Sequence, residues 1–178
     1  YIIHGNIMDF LPHKLNEGEF NFVKIQNYIS DVLFGNRDII VYYDRSSGIS
    51  FCTPEMKQSY MAYMKNGNGQ GRGEADGIFP SNPVRAFKLL EQYFYSNIPR
   101  KIRIVLIIDY AETIIPNAEL SQYSEEDRFC LVTLNRWAHD PIFTQGDISI
   151  ILLTENLGDL SPRLVRAPAT IKVNIPIP

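Results

Sequence analysis

Apolar positions along the chain follow two rhythms. Short continuous apolar runs occur at 38–44 (DIIVYYD), 103–109 (RIVLIID), 148–154 (ISIILLT) and 170–177 (TIKVNIPI). They are rich in β-branched and aromatic residues and bounded by turn formers, the pattern of strands buried on both faces. Proline near the end of the last run marks an edge or a strand terminus. Between these runs the period changes to that of a helix. EFNFVKIQNYISDVLF sets Phe22, Ile25, Ile29 and Leu33 on one helical face and stops at GN. PEMKQSYMAYM aligns Met56, Tyr60 and Met64 behind Thr53 as N-cap and Pro54 as first helical residue. SNP at 81–83 opens VRAFKLLEQYF, with Val84, Phe87, Leu90 and Phe94 turned inward, and Ser124 followed by EED opens a helix through Trp137 whose acidic first turn suits the positive end of the helix dipole.

Buried-type strands alternating with helices predict an α/β fold, a parallel sheet covered by helices on both faces. NGNGQGRGEADG at 66–77 is low in complexity and predicts a flexible glycine-rich loop. The 178 residues suit one domain spanning the whole chain. The chain opens on Tyr1 with no signal-like segment and reads as a piece of a longer protein.

Composition removes several functions. Apolar residues make up 45% and charged residues 21%, with a net charge of −3, so nothing favours a polyanion binder and nucleic acid is not expected as a partner. No apolar stretch approaches the roughly 20 residues needed to span a bilayer, so no membrane role is expected. Cys52 and Cys130 lie far apart and read as free thiols in a reducing, cytoplasmic compartment. His4, His13 and His139 have no metal-ligand spacing. Ser46, Ser47 and Ser50 lack the histidine and acid pattern of covalent catalysis. GRG at 71–73 is one arginine among glycines, better read as loop than as an RNA-binding fragment.

From Pro83 onward the chain resembles the second half of an AAA-type ATPase core. PVRAFKLLEQYFYSNIPRKIRIVLIIDYAETIIP is similar to the helix and strand that carry the Walker B motif. EEDRFCLVTLNRWAHDPIFTQGDISIILLTEN is similar to the next helix and the sensor 1 strand. DLSPRLVRAPATIKVNIPIP is similar to the arginine-bearing stretch and strand that follow. The resemblance implies a P-loop NTPase-like three-layer sandwich with a mainly parallel, five-stranded sheet, ring-forming assembly, and ATP with magnesium as cofactor. It also implies roles. Asp109 stands at the Walker B aspartate, the one candidate for magnesium. Asn156 stands at sensor 1, and Arg166 at the first of two arginines that reach a neighbouring subunit. With 38–44 taken as the strand before the phosphate loop, Gly48 and Ser50 are what remains of that loop.

Three departures weaken the chemistry. A phosphate loop needs G-x-x-x-x-G-K-[ST], so that backbone N–H groups close on phosphate, lysine neutralises it and the hydroxyl holds magnesium. YYDRSSGISFCTP has only Gly48, no lysine, and Asp44 adding a negative charge. The glutamate expected after the Walker B aspartate is Tyr110, and a phenol is a poor base near neutral pH; Glu112 lies past the strand end. The second arginine is replaced within APAT, around Ala169. No lid subdomain of the kind that follows the last strand in such cores is expected within these residues. Bland readings stand beside these roles: Asp109 as a turn former, Asn156 as a turn cap, Arg166 as a solvated charge or a subunit contact.

The expected function is a degenerate AAA module with little or no ATP binding, a scaffold for self-association or for a neighbouring ATPase domain. Two alternatives remain: a divergent ATPase using Arg45, Ser46, Ser47 and Asp109, and a nucleic-acid- or partner-binding α/β module.

Overall fold

The structure, a computed structural model, describes residues 1–16, 19–65 and 79–176. The glycine-rich 66–77 stretch lies outside them. The strands are β1 (Ile2–Gly5), β2 (Phe10–Asn16), β3 (Glu19–Lys24), β4 (Ile39–Asp44), β5 (Gly48–Phe51), β6 (Ile104–Ile108), β7 (Ile148–Thr154) and β8 (Lys172–Ile175). Six form one sheet in the order β5-β4-β6-β7-β1-β8, while β2 and β3 pair as a separate hairpin. β4, β6, β7, β1 and β8 run parallel, and β5 folds back antiparallel on β4. The five parallel strands match the expected sheet, and β5 adds a sixth at one edge.

All five residues of β6 are buried, as expected for a strand covered on both sides. Period-2 alternation sorts strand residues into two layers. Val41, Tyr43, Leu106, Ile108 and Leu152 face one layer; Ile40, Val105, Ile107, Ile151 and Leu153 face the other. The first layer is closed by α3 (Pro83–Asn97), α4 (Glu125–His139), α5 (Pro141–Gln145) and α6 (Pro162–Val165). Its rings form a connected group: Trp137 stacks on Phe143 with centroids 5.5 Å apart and lies 5.3 Å from Phe87, which meets Tyr43 edge-on at 5.8 Å. The second layer is thinner. Ile25 of α1 (Ile25–Tyr28) and Ile29 of the π-turn that continues it (Ile29–Leu33) cover it, with Leu11 and Met56 at its margins. α2 (Pro54–Tyr63) contributes Tyr60 to the first layer and Met56 to the second.

Helix starts follow their caps. Thr53 Oγ1 accepts from Met56 N–H at 3.3 Å, and Asn82 Oδ1 accepts from Arg85 N–H at 3.1 Å. Ser124 and Asp127 form a reciprocal capping box under three acidic residues.

Two expectations are corrected. The helix predicted from Glu19 onward begins only at Ile25, because 19–24 forms β3; Phe22 and Leu33 are exposed and only Ile25 and Ile29 are buried. The strand 38–44, taken as the one before a phosphate loop, lies second from the sheet edge and turns back into β5. β1, four residues that give no sequence signal of their own, takes the place between β7 and β8, with Ile2 fully buried.

Candidate functional site

The five parallel strands all end at one edge, the usual place for ligands in an open α/β sheet. Asp109 stands there, one residue past β6, with its N–H donating to the Tyr43 carbonyl at 2.9 Å. Its Oδ1 accepts from the Tyr110 N–H at 3.0 Å, and its Oδ2 accepts from the Gln26 side-chain amide of α1. Burial pushes its carboxyl above the usual range, the Tyr110 N–H opposes that, and the nearby Asp44 and Glu112 charges add to it. Tyr110 turns the chain away in the left-handed region at φ 49°, uncommon for a tyrosine, and its side chain is exposed.

Asp44 ends β4 beside this loop. Its Oδ1 accepts from Ser46 N–H and Ser47 N–H, each at 2.8 Å, and from the Ser46 hydroxyl at 2.6 Å. Burial works to raise its pKa, but these hydrogen bonds outweigh it and the net direction is down. Asp44 is thus the organiser of the hairpin turn. Arg45 points elsewhere, donating to the Thr113 carbonyl at 2.9 Å and to Glu126 at 2.6 Å, which ties the turn to the start of α4. Gly48 takes φ +76°, and a Cβ there would come within 2.6 Å of the Phe79 carbonyl oxygen. Ser50 is exposed on β5, opposite Tyr42.

Gly48 and Ser50, expected as the remains of a phosphate loop, stand in the β4–β5 hairpin. After β4 the chain reverses at once into β5, and Phe51 pairs with Val41, so α2 starts near the other end of the strands. After β1 it passes through Asn6 into the β2–β3 hairpin before α1 begins. Neither strand leads directly into a helix, so the strand–loop–helix cradle of a triphosphate has no counterpart after β1 or β4. These residues do not fit a magnesium nucleotide in the way a phosphate loop would.

Asn156 sits at the same edge, past β7. Its Oδ1 accepts from Gly158 N–H at 3.0 Å and its amide donates to Asp159 at 3.3 Å, capping the short 3-10 turn Leu157–Asp159. The sheet brings Asp109 and Asn156 onto neighbouring strands. Arg166 lies apart, just past α6 on the connection that leads to β8; it is exposed and makes no ion pair among the described residues. Among the described residues no group of three or more His, Cys, Asp or Glu side chains could hold a metal ion. Both cysteines are free, and burial pushes the Cys130 thiol up to about 12.

Sequence reasoning missed Gln26, which reaches Asp109 across the layer, because no spacing rule links positions 83 residues apart. It also missed the crevice of about 680 Å³ at the ends of β1, β7 and β8, where Asn6, Asn156 and Asn174 gather. Gly5 makes this packing possible: at φ +100° it lies so close to β8 that a Cβ would collide with the Ile175 carbonyl. No helix among the described residues is long and apolar enough to cross a membrane.

The mainly parallel sheet with helices on both faces defines a Rossmann-like α/β domain. Residues 1–176 match the family described as the AAA+ chaperone, N-terminal Rossmann-like domain, and the chain belongs to that family. No curated protein matches the chain. Solved structures do; one is a chain of the E. coli MS115-1 HORMA:CdnC:Trip13 complex, at 17% identity and a TM-score of 0.42. The match covers 86% of this chain and 57% of that one, so this chain spans less than two thirds of the neighbour's length.

Proposed function

We propose that this module does not hydrolyse ATP itself and serves as a scaffold within a larger AAA+ protein, ordering copies of the chain or a neighbouring ATPase domain. The observation that carries the reading is the path of the chain after β4 and β1, which turns into antiparallel hairpins where a phosphate loop and its helix would stand. Further support comes from Asp109, whose two oxygens are already engaged by Tyr110 and Gln26, and from Tyr110 itself, whose side chain cannot replace a catalytic carboxylate. Membership of an N-terminal domain family supports a place ahead of another module. In this reading Asn156 is a turn cap and Arg166 an interface residue. An exposed ion pair formed by Arg166 contributes little, about 0–1 kcal/mol, so Arg166 would guide assembly more than hold it.

Calorimetric titration with a slowly hydrolysed ATP analogue and magnesium tests the proposal. The expected result is no heat up to millimolar analogue from a folded sample. Micromolar binding that disappears in Asp109→Ala would overturn it in favour of a divergent ATPase.

A further inference from the structure

The β2–β3 hairpin has an inner and an outer face. Opposed residues share a face, and the register sets Phe10 against Lys24, Pro12 against Phe22 and Lys14 against Phe20. All six are exposed, with Phe10, Phe20 and Phe22 at 57%, 61% and 64% of their accessible surface. The inner face anchors the hairpin: Leu11 packs against the isoleucine-rich layer, and Val23 is half-buried. Three phenylalanines are therefore held outward by a hairpin whose footing lies on its other side. Contiguous exposed apolar surface of this kind marks an interaction site. None of the six residues is acidic and two are lysines, in a chain whose net charge is −3.

The two strands of the hairpin also differ at their edges. β2 carries Pro12 and a register irregularity between Lys14 and Asn16, both of which blunt an edge against further pairing. β3 has neither, and among the described residues it pairs only with β2; its Phe22 N–H donates to Asn21 Oδ1 at 2.9 Å, a local contact that an added strand would displace. An open regular edge beside an aromatic face is the geometry that accepts an added strand, with backbone hydrogen bonds supplying affinity and alternate side chains specificity.

We propose that the free edge of β3 and the outer face of the hairpin form a docking site for an extended segment of a partner protein. On its phenylalanine side, that segment carries apolar residues opposite Phe20 and Phe22 and an acidic residue opposite Lys24. Residues two apart on a strand are roughly 7 Å apart, so one face of an extended peptide meets all three positions in step. The charge selects the occupant. A second copy paired through β3 about Phe22 would set Lys24 opposite Phe20 and supply no acid on that face. Single-stranded nucleic acid would stack on the rings and meet the lysines, but it would leave the open backbone edge unpaired. The site stands whether or not the chain binds a nucleotide, and so goes beyond the reading above.

The test is amide chemical-shift mapping on the chain with the peptide Asp-Thr-Val-Thr-Val-Thr-Asp, which presents the pattern in either strand direction. Its counterpart with lysine at both ends and an oligothymidylate are the comparisons. The expected result is perturbation and slowed exchange of the 19–24 amides by the aspartate peptide alone. Affinity should fall roughly a hundredfold in Phe20→Ser/Phe22→Ser, about tenfold for each ring removed. Lys24→Glu, which alters charge while leaving both rings in place, should reverse the preference between the two peptides. No response of these amides to the aspartate peptide at millimolar concentration would overturn the proposal. So would a response to the oligothymidylate alone, or a concentration-dependent dimer abolished by the double substitution.

Discussion

The two faces of the central sheet start from nearly the same strand residues and end in different states. On one, Val41, Leu106, Ile108 and Leu152 lie beneath four helices whose Phe87, Phe94, Trp137 and Phe143 interlock. On the other, Ile40, Val105, Ile107 and Leu153 are covered by nine residues of α1 and its π-turn, helped by Leu11 and Met56. An apolar groove of about 320 Å³ remains there between Ile29, Leu33, Leu11 and Val173. Strand composition alone does not decide how a sheet face is closed; long amphipathic helices with adjacent aromatic positions close it tightly, and a short helix with a hairpin closes it loosely.

Truncation on each face sharpens this contrast. Phe94→Ala should have the largest effect, about 3–5 kcal/mol of lost stability in urea unfolding, since its ring is fully buried among Trp137, Phe143 and Tyr93. Ile29→Ala on the thin face should cost about 2–3 kcal/mol, the lower part of the usual range, because side chains bordering the groove can settle into the space. Equal losses at the two sites would break the contrast.

The rim gives a third measure. Asp38 accepts from the Arg103 backbone N–H at 2.9 Å and from its guanidinium at 3.0 Å, and these contacts hold its carboxyl down at about 2. A depressed folded-state pKa means that the unfolded chain takes up the proton first. The stabilisation is therefore present above about pH 4 and is lost as pH falls toward 2. Asp38→Asn should flatten that acid limb and leave the rest of the pH profile unchanged, a small effect because the pair is largely exposed. Phe20→Ser/Phe22→Ser should have the smallest effect, within about 0.5 kcal/mol, because these rings bury little in the chain itself. A loss as large as that of Ile29→Ala would show that the hairpin's outer face belongs to the core.

The residues explain which parts of this were legible. The runs at 38–44, 103–109 and 148–154 became β4, β6 and β7 within a residue or so, and Thr53, Asn82 and Ser124 cap the helices they announce. These signals are local: a cap and a buried run require nothing beyond a few neighbours. The stretch 19–33 was ambiguous. Phe22, Ile25, Ile29 and Leu33 keep helical spacing, while Phe20, Phe22 and Lys24 keep strand spacing, and pairing with β2 decided for the strand up to Lys24. The candidate site was legible only in part. Asp109 and Asn156 reach the carboxyl edge as their strands require, but Gly48 and Ser50 joined a hairpin.

By itself, the sequence determined the α/β class, the layered parallel sheet, the helix starts behind Thr53, Asn82 and Ser124, and the absence of a G-x-x-x-x-G-K-[ST] stretch, because each rests on local period, capping or residue order. Only the tertiary structure decided that Ile2–Gly5 is an inner strand, that β4 turns back at the sheet edge, and that Gln26 holds Asp109. Strand order and contacts across many residues depend on which surfaces find each other once the chain is compact, and no local pattern of residues encodes that choice.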